Sequence, residues 1–237
     1  MESRVIKTWR DPYDEGFSTT RLKQITINKG LTVLVGCNGI GKTTLIHNII
    51  EELKKYSKTE KIPYYKYDNL YDGGNTSISE LLFRGRDEDT ALAANLMTSS
   101  EGETILCNIS QKARQFAKFL KTGKIKNGID FSFMYNDEEE IPMSNERWLL
   151  FDATDSGLSI DAIIELKSLF NLMIKDAENI GADLYIIISA NEYELARNEE
   201  CFDVSNGKYI RFKDYEDYRK FIINNRKKKD KRYKKKG

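Results

Sequence analysis

The stretch Gly36-Cys37-Asn38-Gly39-Ile40-Gly41-Lys42-Thr43-Thr44 constrains this chain more than any other. Ahead of it stands Leu31-Thr32-Val33-Leu34-Val35, apolar, partly β-branched and strand-like. Behind it, Leu45-Ile46-His47-Asn48-Ile49-Ile50-Glu51-Glu52-Leu53 spaces its apolar residues as a helix does. A strand entering a glycine-rich turn that opens a helix is the context in which a Walker A phosphate-binding loop works. The turn's backbone N–H groups and the unpaired donors of the helix start converge on a polyphosphate, and the helix dipole reinforces them. In that arrangement Lys42 reaches the β- and γ-phosphates and the Thr43 hydroxyl ligates Mg²⁺. The motif therefore predicts a nucleoside-triphosphate site.

A chain of 237 residues suits one α/β domain, alone or with a small lobe. Hydrophobic residues make up 40%, including 11 Phe, 13 Tyr and 2 Trp, which is ample for a core. Three prolines and the lack of a Ser/Gly-rich tract leave no evident interdomain linker. No apolar run approaches the roughly 20 residues of a membrane span, and Met-Glu-Ser-Arg does not begin a signal peptide. Cys37, Cys107 and Cys201 are scattered and form no CxxC pair, which fits a reducing cytoplasm. Cys37 lies within the loop, either as an oxidisable block to nucleotide or simply as a small residue at a permissive position.

Net charge is +1, but its distribution is uneven. Residues 226–237 carry nine Lys or Arg and one Asp, a charge of +8, while the rest of the chain carries 29 basic and 36 acidic side chains, or −7. The segment reads as a basic, disordered tail, either a contact for DNA or an acidic partner or just a solvated end.

Strands are expected at Val5–Trp9 and Leu22–Asn28, with Asn28-Lys29-Gly30 as a hairpin turn into the next strand. A helix follows from about Lys42 to Tyr56, then a strand near Ile62–Tyr67 and a polar loop through Asp68–Asn75. Short helices are expected from Ser77 or Ser79 to Phe83 and over Asp87–Met97, and a long one over Thr104–Lys121. Residues 122–146 suggest a hairpin or β segment and include the acidic patch Asp137–Glu140. The run Arg147-Trp148-Leu149-Leu150-Phe151-Asp152 is an apolar strand ending in a carboxylate, the Walker B pattern, which brings Asp152 to the Mg²⁺ shell beside Thr43.

Together these motifs resemble the ABC-type P-loop ATPase heads of DNA-repair and chromosome-maintenance proteins. Asn38-Gly39-Ile40-Gly41-Lys42-Thr43-Thr44 is similar to that family's N-G-x-G-K-[ST]-[ST]. Ser99-Ser100-Glu101-Gly102-Glu103 resembles its signature motif, with Ser100, Gly102 and Glu103 at the serine, second glycine and final Gln/Glu. Read alone, the same five residues are a capping turn before a helix. Asp155-Ser156-Gly157-Leu158-Ser159 resembles the D-loop, Leu184–Ser189 the strand before the switch position, and Cys201–Phe212, with its Asn206-Gly207 turn, the closing hairpin. The likeness covers about residues 4–212. The chain also resembles small stand-alone AAA-family ATPases of phages of Gram-positive bacteria.

The resemblance implies an α/β P-loop NTPase with a mixed central sheet flanked by helices and an N-terminal antiparallel β lobe. Residues 1–225 would form the head, with a helical signature lobe near 76–121, and 226–237 the tail. It further implies ATP and Mg²⁺ as cofactors, with Asn38, Gly39, Ile40, Gly41, Lys42, Thr43 and Thr44 around the phosphates and Thr43 and Asp152 at the metal. It also implies an ATP-dependent homodimer in which Ser100, Gly102 and Glu103 of one copy meet the nucleotide of the other. For the base, the aromatic candidates are Trp9, Tyr13 and Phe17, each equally suited to a core. Asn69 and Asp72 are candidates for the loop that senses metal and water.

Two departures weigh on catalysis. Ala153 stands where the family carries its catalytic glutamate, and Ser189-Ala190-Asn191-Glu192 replaces the switch histidine. The single histidine, His47, lies on the helix after the loop. Asp155, Asn191 and Glu192 are the substitute candidates. A missing general base costs of order 10²–10⁴ in rate, so slow hydrolysis is expected. The expectation is an ATPase head acting in DNA metabolism or a phage–host interaction, in the cytoplasm (the host's, if phage-encoded). The alternative is a nucleotide-gated binding module with little or no hydrolysis. A transporter subunit is disfavoured by the signature, and a small-molecule kinase by the segment after Asp152.

Overall fold

The computed structural model describes residues 3–8, 24–56, 60–68, 115–123, 143–155 and 158–234. Its strands are β1 (Ser3–Lys7), β2 (Gln24–Asn28), β3 (Gly30–Val35), β4 (Tyr64–Asp68), β5 (Glu146–Asp152), β6 (Asp183–Ser189), β7 (Cys201–Asp203) and β8 (Lys208–Ile210). Its helices are α1 (Lys42–Lys55), α2 (Ile160–Asn179), α3 (Tyr193–Ala196) and α4 (Tyr215–Lys234), besides a helical segment at 115–122.

Among the described residues, six strands form the central sheet in the order β4-β5-β6-β3-β7-β8. All neighbours pair in parallel except β7 and β8, which close the edge as an antiparallel hairpin. A mixed sheet with both faces covered explains why its strands read as continuous apolar runs instead of alternating ones. Val33, Leu149, Phe151, Ile186 and Ile188 enter one core with α2 and Phe116 and Phe119 of the 115–122 segment. Their strand neighbours Leu34, Trp148, Leu150, Tyr185 and Ile187 enter a second core with α1 and the N-terminal strands. Side chains alternate across a strand, so one apolar run serves two helical layers. Trp148 and Tyr185 are register partners on β5 and β6, and their rings stack at 4.3 Å and 7°.

The N-terminal β lobe is present as the antiparallel pair β1-β2. It does not continue into the central sheet, which corrects the expected hairpin at Asn28–Gly30: β2 pairs with β1, whereas β3 pairs with β6 and β7. Gly30, at φ +97°, adopts a left-handed backbone that lets the chain pass from one sheet to the other. Arg4 on β1 ties the lobe down through a 2.9 Å ion pair with Glu146, which also accepts the Trp148 indole N–H at 2.9 Å.

The second correction concerns the C-terminus. Residues 226–234, expected as part of a disordered tail, continue α4. The cause is a stripe at helical spacing: Tyr218 and Asn225 are buried, Ile222 is half-buried, and Tyr218 packs edge-on against Phe212 at 5.1 Å. Elsewhere the helix expected over Thr104–Lys121 is seen at 115–122 and stops at Gly123, whose φ is +65°. The expected elements between residues 69 and 114, and all of 124–142, lie outside the described residues. Among those described, no helix is long and apolar enough to cross a membrane.

Candidate functional site

Strands β3, β5 and β6 run parallel, so their carboxyl ends lie along one edge of the sheet. The glycine-rich turn leaves β3 there, Asp152 ends β5 and Ser189 ends β6. Between them opens a cleft of about 440 Å³ lined by Asn38, Gly39, Gly41, Lys42, Thr43, Thr44, Asp152, Ala153, Ser189, Asn191 and Lys229. Residues more than a hundred positions apart in sequence thus meet in one place.

The turn's geometry depends on its glycines. Gly36 has φ +149°, and a Cβ there would fall 2.7 Å from Ile40 Cγ2. Ile40 and Cys37 are buried under the turn, and the Ile40 N–H donates to the Cys37 carbonyl at 3.1 Å. Cys37 is thus a packing residue of the turn, in line with the simpler of its two readings. Gly41, at φ +104°, caps α1 without a side-chain hydrogen bond, and no acidic residue occupies the first helical turn. The open donors and the dipole of α1 are therefore left for an external anion.

Lys42 is 9% exposed, and its Nζ donates to the Gly36 carbonyl at 2.9 Å. Burial pulls its pKa below the usual lysine value, although Asp155, Cys37 and Asp152 act in the opposite direction. A buried ammonium resting on a neutral carbonyl is suited to exchange that partner for a phosphate. The Thr43 side chain is exposed on the same cleft. Among the described residues no three His, Cys, Asp or Glu side chains gather as a metal cluster. A divalent cation here would use the Thr43 hydroxyl, the Asp152 carboxylate and oxygens of ligand and water, a donor set that fits Mg²⁺.

Asp152 is oriented by a residue to which the sequence reading gave no role. Ser189 Oγ–H donates to Asp152 Oδ1 at 2.9 Å, and the same Oγ accepts the Ala153 N–H at 2.7 Å. Ser189 is 1% exposed, so this bridge fixes both the carboxylate and the backbone after it. Ala153 itself has φ +50°, left-handed and unusual for a residue with a Cβ. The signal for Ser189 was its position: a polar residue closing an otherwise apolar strand beside the one that ends in Asp152.

The three catalytic candidates separate clearly. Asp155 is fully buried. It accepts the backbone N–H groups of Asn191 and Glu192, and its Oδ1 accepts Asn191 Nδ2 at 3.1 Å. Burial raises its pKa, and those donors offset the rise only in part. Its carboxylate is engaged by the 191–192 loop and is not part of the cleft lining, and through those bonds it holds Asn191. Glu192 is exposed but is not part of the cleft lining, while Asn191 is both exposed and in that lining. His47 lies on the exposed side of α1, 3.4 Å from Lys66 Nζ, away from this lining.

Lys229, near the end of α4, also lines the cleft and was missed because its surroundings read as a basic tail. The signal was its spacing of four and eleven residues from Asn225 and Tyr218. Ser100, Gly102 and Glu103, the base candidates Trp9, Tyr13 and Phe17, and Asn69 and Asp72 all lie outside the described residues.

No family model matches this chain, and no curated protein matches it. Among solved structures it is similar to Stu0660 of Streptococcus thermophilus, at 12% identity over 91% of this chain and 77% of that one, with a TM-score of 0.36. It is also similar to the ATP-binding cassette MJ0796, solved as a dimer in a post-hydrolysis state bound to ADP and Pi. That match has 13% identity, covers 89% of this chain and 97% of that one, and has a TM-score of 0.35. At these scores neither likeness carries weight beside the geometry of the cleft.

Proposed function

We propose that this chain binds Mg·ATP in the cleft between the glycine-rich turn and Asp152 and acts as an ABC-type ATPase head with slow turnover. One observation carries the reading: Lys42, Thr43 and a pre-oriented Asp152 converge on one cleft at the carboxyl edge of a parallel sheet. The turn 38–44 surrounds the phosphates with N–H donors, Lys42 pairs with their charge, and Thr43 and Asp152 hold the metal. Mg²⁺, when bound, neutralises charge on the phosphate oxygens. Asn191, held by Asp155, orients water at the far side of the cleft. Among the described residues lining the cleft, Asp152 is the only carboxylate, and in this reading it is committed to the metal. Without a further general base, hydrolysis is slow.

Pairing of two heads around ATP, with Ser100, Gly102 and Glu103 reaching the partner's nucleotide, belongs to the same proposal, as does action on DNA. The absence of a carboxylate at Ala153 equally favours a second reading, a module that ATP closes and that releases its partner when nucleotide leaves. Sedimentation with and without Mg·ATP, together with phosphate release on the same sample, tests both. ATP-dependent pairing with measurable turnover supports the ATPase, and pairing without turnover supports the gated module. No nucleotide binding would end both.

A further inference from the structure

α4 spans the cleft as a brace. At its start the Tyr218 hydroxyl donates to the Asn191 carbonyl at 3.2 Å, and the ring packs against Tyr193, so the helix is fixed to the loop that Asp155 holds. Eleven residues on, a rise of roughly 16 Å, Lys229 Nζ donates to the Asn38 carbonyl of the glycine-rich turn at 2.7 Å. The approach is close: a Cβ on Gly39 would lie 2.6 Å from that Nζ. Among the charged residues 226–231, Lys229 alone is half-buried and the others are exposed. One cation of a solvated basic run is thus singled out and aimed at the turn, in a cleft that also holds Lys42, Asp152 and Asn191.

We propose that Lys229 is a nucleotide-binding residue, contributed from within the same chain, that contacts the terminal phosphate of the bound triphosphate. The inference rests on the Mg·ATP reading of the cleft. Lys229 shares the cleft with Asp152 and Asn191, the metal and water side, which is where a terminal phosphate sits. The acceptor it has at the rim, the Asn38 carbonyl, is neutral, and a phosphate oxygen is a stronger one. The flexible four-carbon stem lets the ammonium exchange one acceptor for another within its reach. Because α4 is fixed at Tyr218 to the Asn191 loop, filling the site would also couple the glycine-rich turn to that loop through one rigid element.

The test compares Mg·ATP and Mg·ADP affinities of Lys229→Met with those of the parent, Lys42→Met and Lys228→Ala. Met keeps the aliphatic stem, and circular dichroism checks that α4 persists. The expected result is about a tenfold loss for ATP, the size of one charge-assisted hydrogen bond to a half-exposed cation. ADP should lose less than about twofold by the same reasoning, and Lys228→Ala should change neither. Unchanged ATP affinity in Lys229→Met overturns the proposal. So does equal loss for ATP and ADP matched by Lys228→Ala, which would mark general electrostatics. Tighter binding of both nucleotides would overturn it too, making Lys229 a plug over the empty turn. If instead Lys42→Met leaves ATP affinity unchanged, the Mg·ATP reading has failed, not just the role of Lys229.

Discussion

Replacing Lys42 with Met separates what the ammonium does from what it costs the fold. Among the described residues its Nζ donates to one carbonyl, at 2.9 Å, and burial is the largest influence on its pKa. Each unit by which burial depresses an ammonium corresponds to about 1.4 kcal/mol withheld from stability while the group stays charged. Met retains an unbranched stem, and water from the cleft can take the place of Nζ at the Gly36 carbonyl. The variant should therefore be as stable as the parent or more stable by about 1 kcal/mol, a rise of about 2–4 °C in unfolding midpoint for a chain of this size. Nucleotide affinity should move the opposite way. Charge-assisted bonds to phosphate contribute roughly 1.5–3 kcal/mol each, so losing two raises the Kd for Mg·ATP by about 100-fold or more. The parent should also gain stability as pH rises toward 10.5. Its folded form releases the Lys42 proton first, and the unfolded chain holds more protons across that window. That gain should vanish in the variant. Thermal unfolding across alkaline pH and calorimetric titration with Mg·ATP read all three effects. A variant that melts several degrees lower yet binds nucleotide like the parent would refute the reasoning.

Ser189→Ala should lower stability by about 1–2 kcal/mol in urea unfolding, because the Ala153 N–H loses its acceptor. It should also weaken Mg²⁺ in the presence of ATP several-fold, and unchanged metal affinity would remove Ser189 from the site. Asp155→Asn tests the buried carboxyl: its raised pKa means its contribution is greatest below the unfolded value of 3.8 and falls as pH climbs through the folded one. The substitution should flatten stability across that window in urea midpoints measured from about pH 4 to 8, and an unaltered slope would contradict the assignment. Gly36→Ala should cost about 1–3 kcal/mol, since its Cβ would overlap Ile40 and the backbone is left-handed. Ala153→Glu should raise phosphate release by up to the order of 10²-fold; no change would mean that other groups position the water.

The parts legible in the sequence were those where one physical cause acts alone. Strands β3, β5 and β6 stand out because burial on both faces fills them mostly with apolar residues, and Asp152 stands out against such a run. The glycine-rich turn was legible because Gly36 and Gly41 adopt backbones that other residues avoid. The segment 28–30 misled because Gly30 is equally suited to a hairpin and to a passage between sheets, and only long-range pairing with β6 decides. α2 was not singled out, although Ala162, Ile163, Leu166, Phe170, Met173 and Ala177 repeat at helical spacing. In α4 the lysines hid the stripe from Tyr218 to Lys229, for composition averages away what periodicity keeps. The burial of Asp155 could not be read at all, since its partners Asn191 and Glu192 lie 36 and 37 positions away.

The strand order has a consequence for how the chain is made. β6 lies between β3 and β5, both of which leave the ribosome before it. The centre of the sheet must stay an open slot until residues 183–189 emerge, leaving one bare edge on each side. Such edges recruit other extended chains. A nascent or truncated polypeptide ending before residue 183 is therefore expected to be sticky and protease-sensitive, and the late arrival of one strand turns two unfinished halves into a single body.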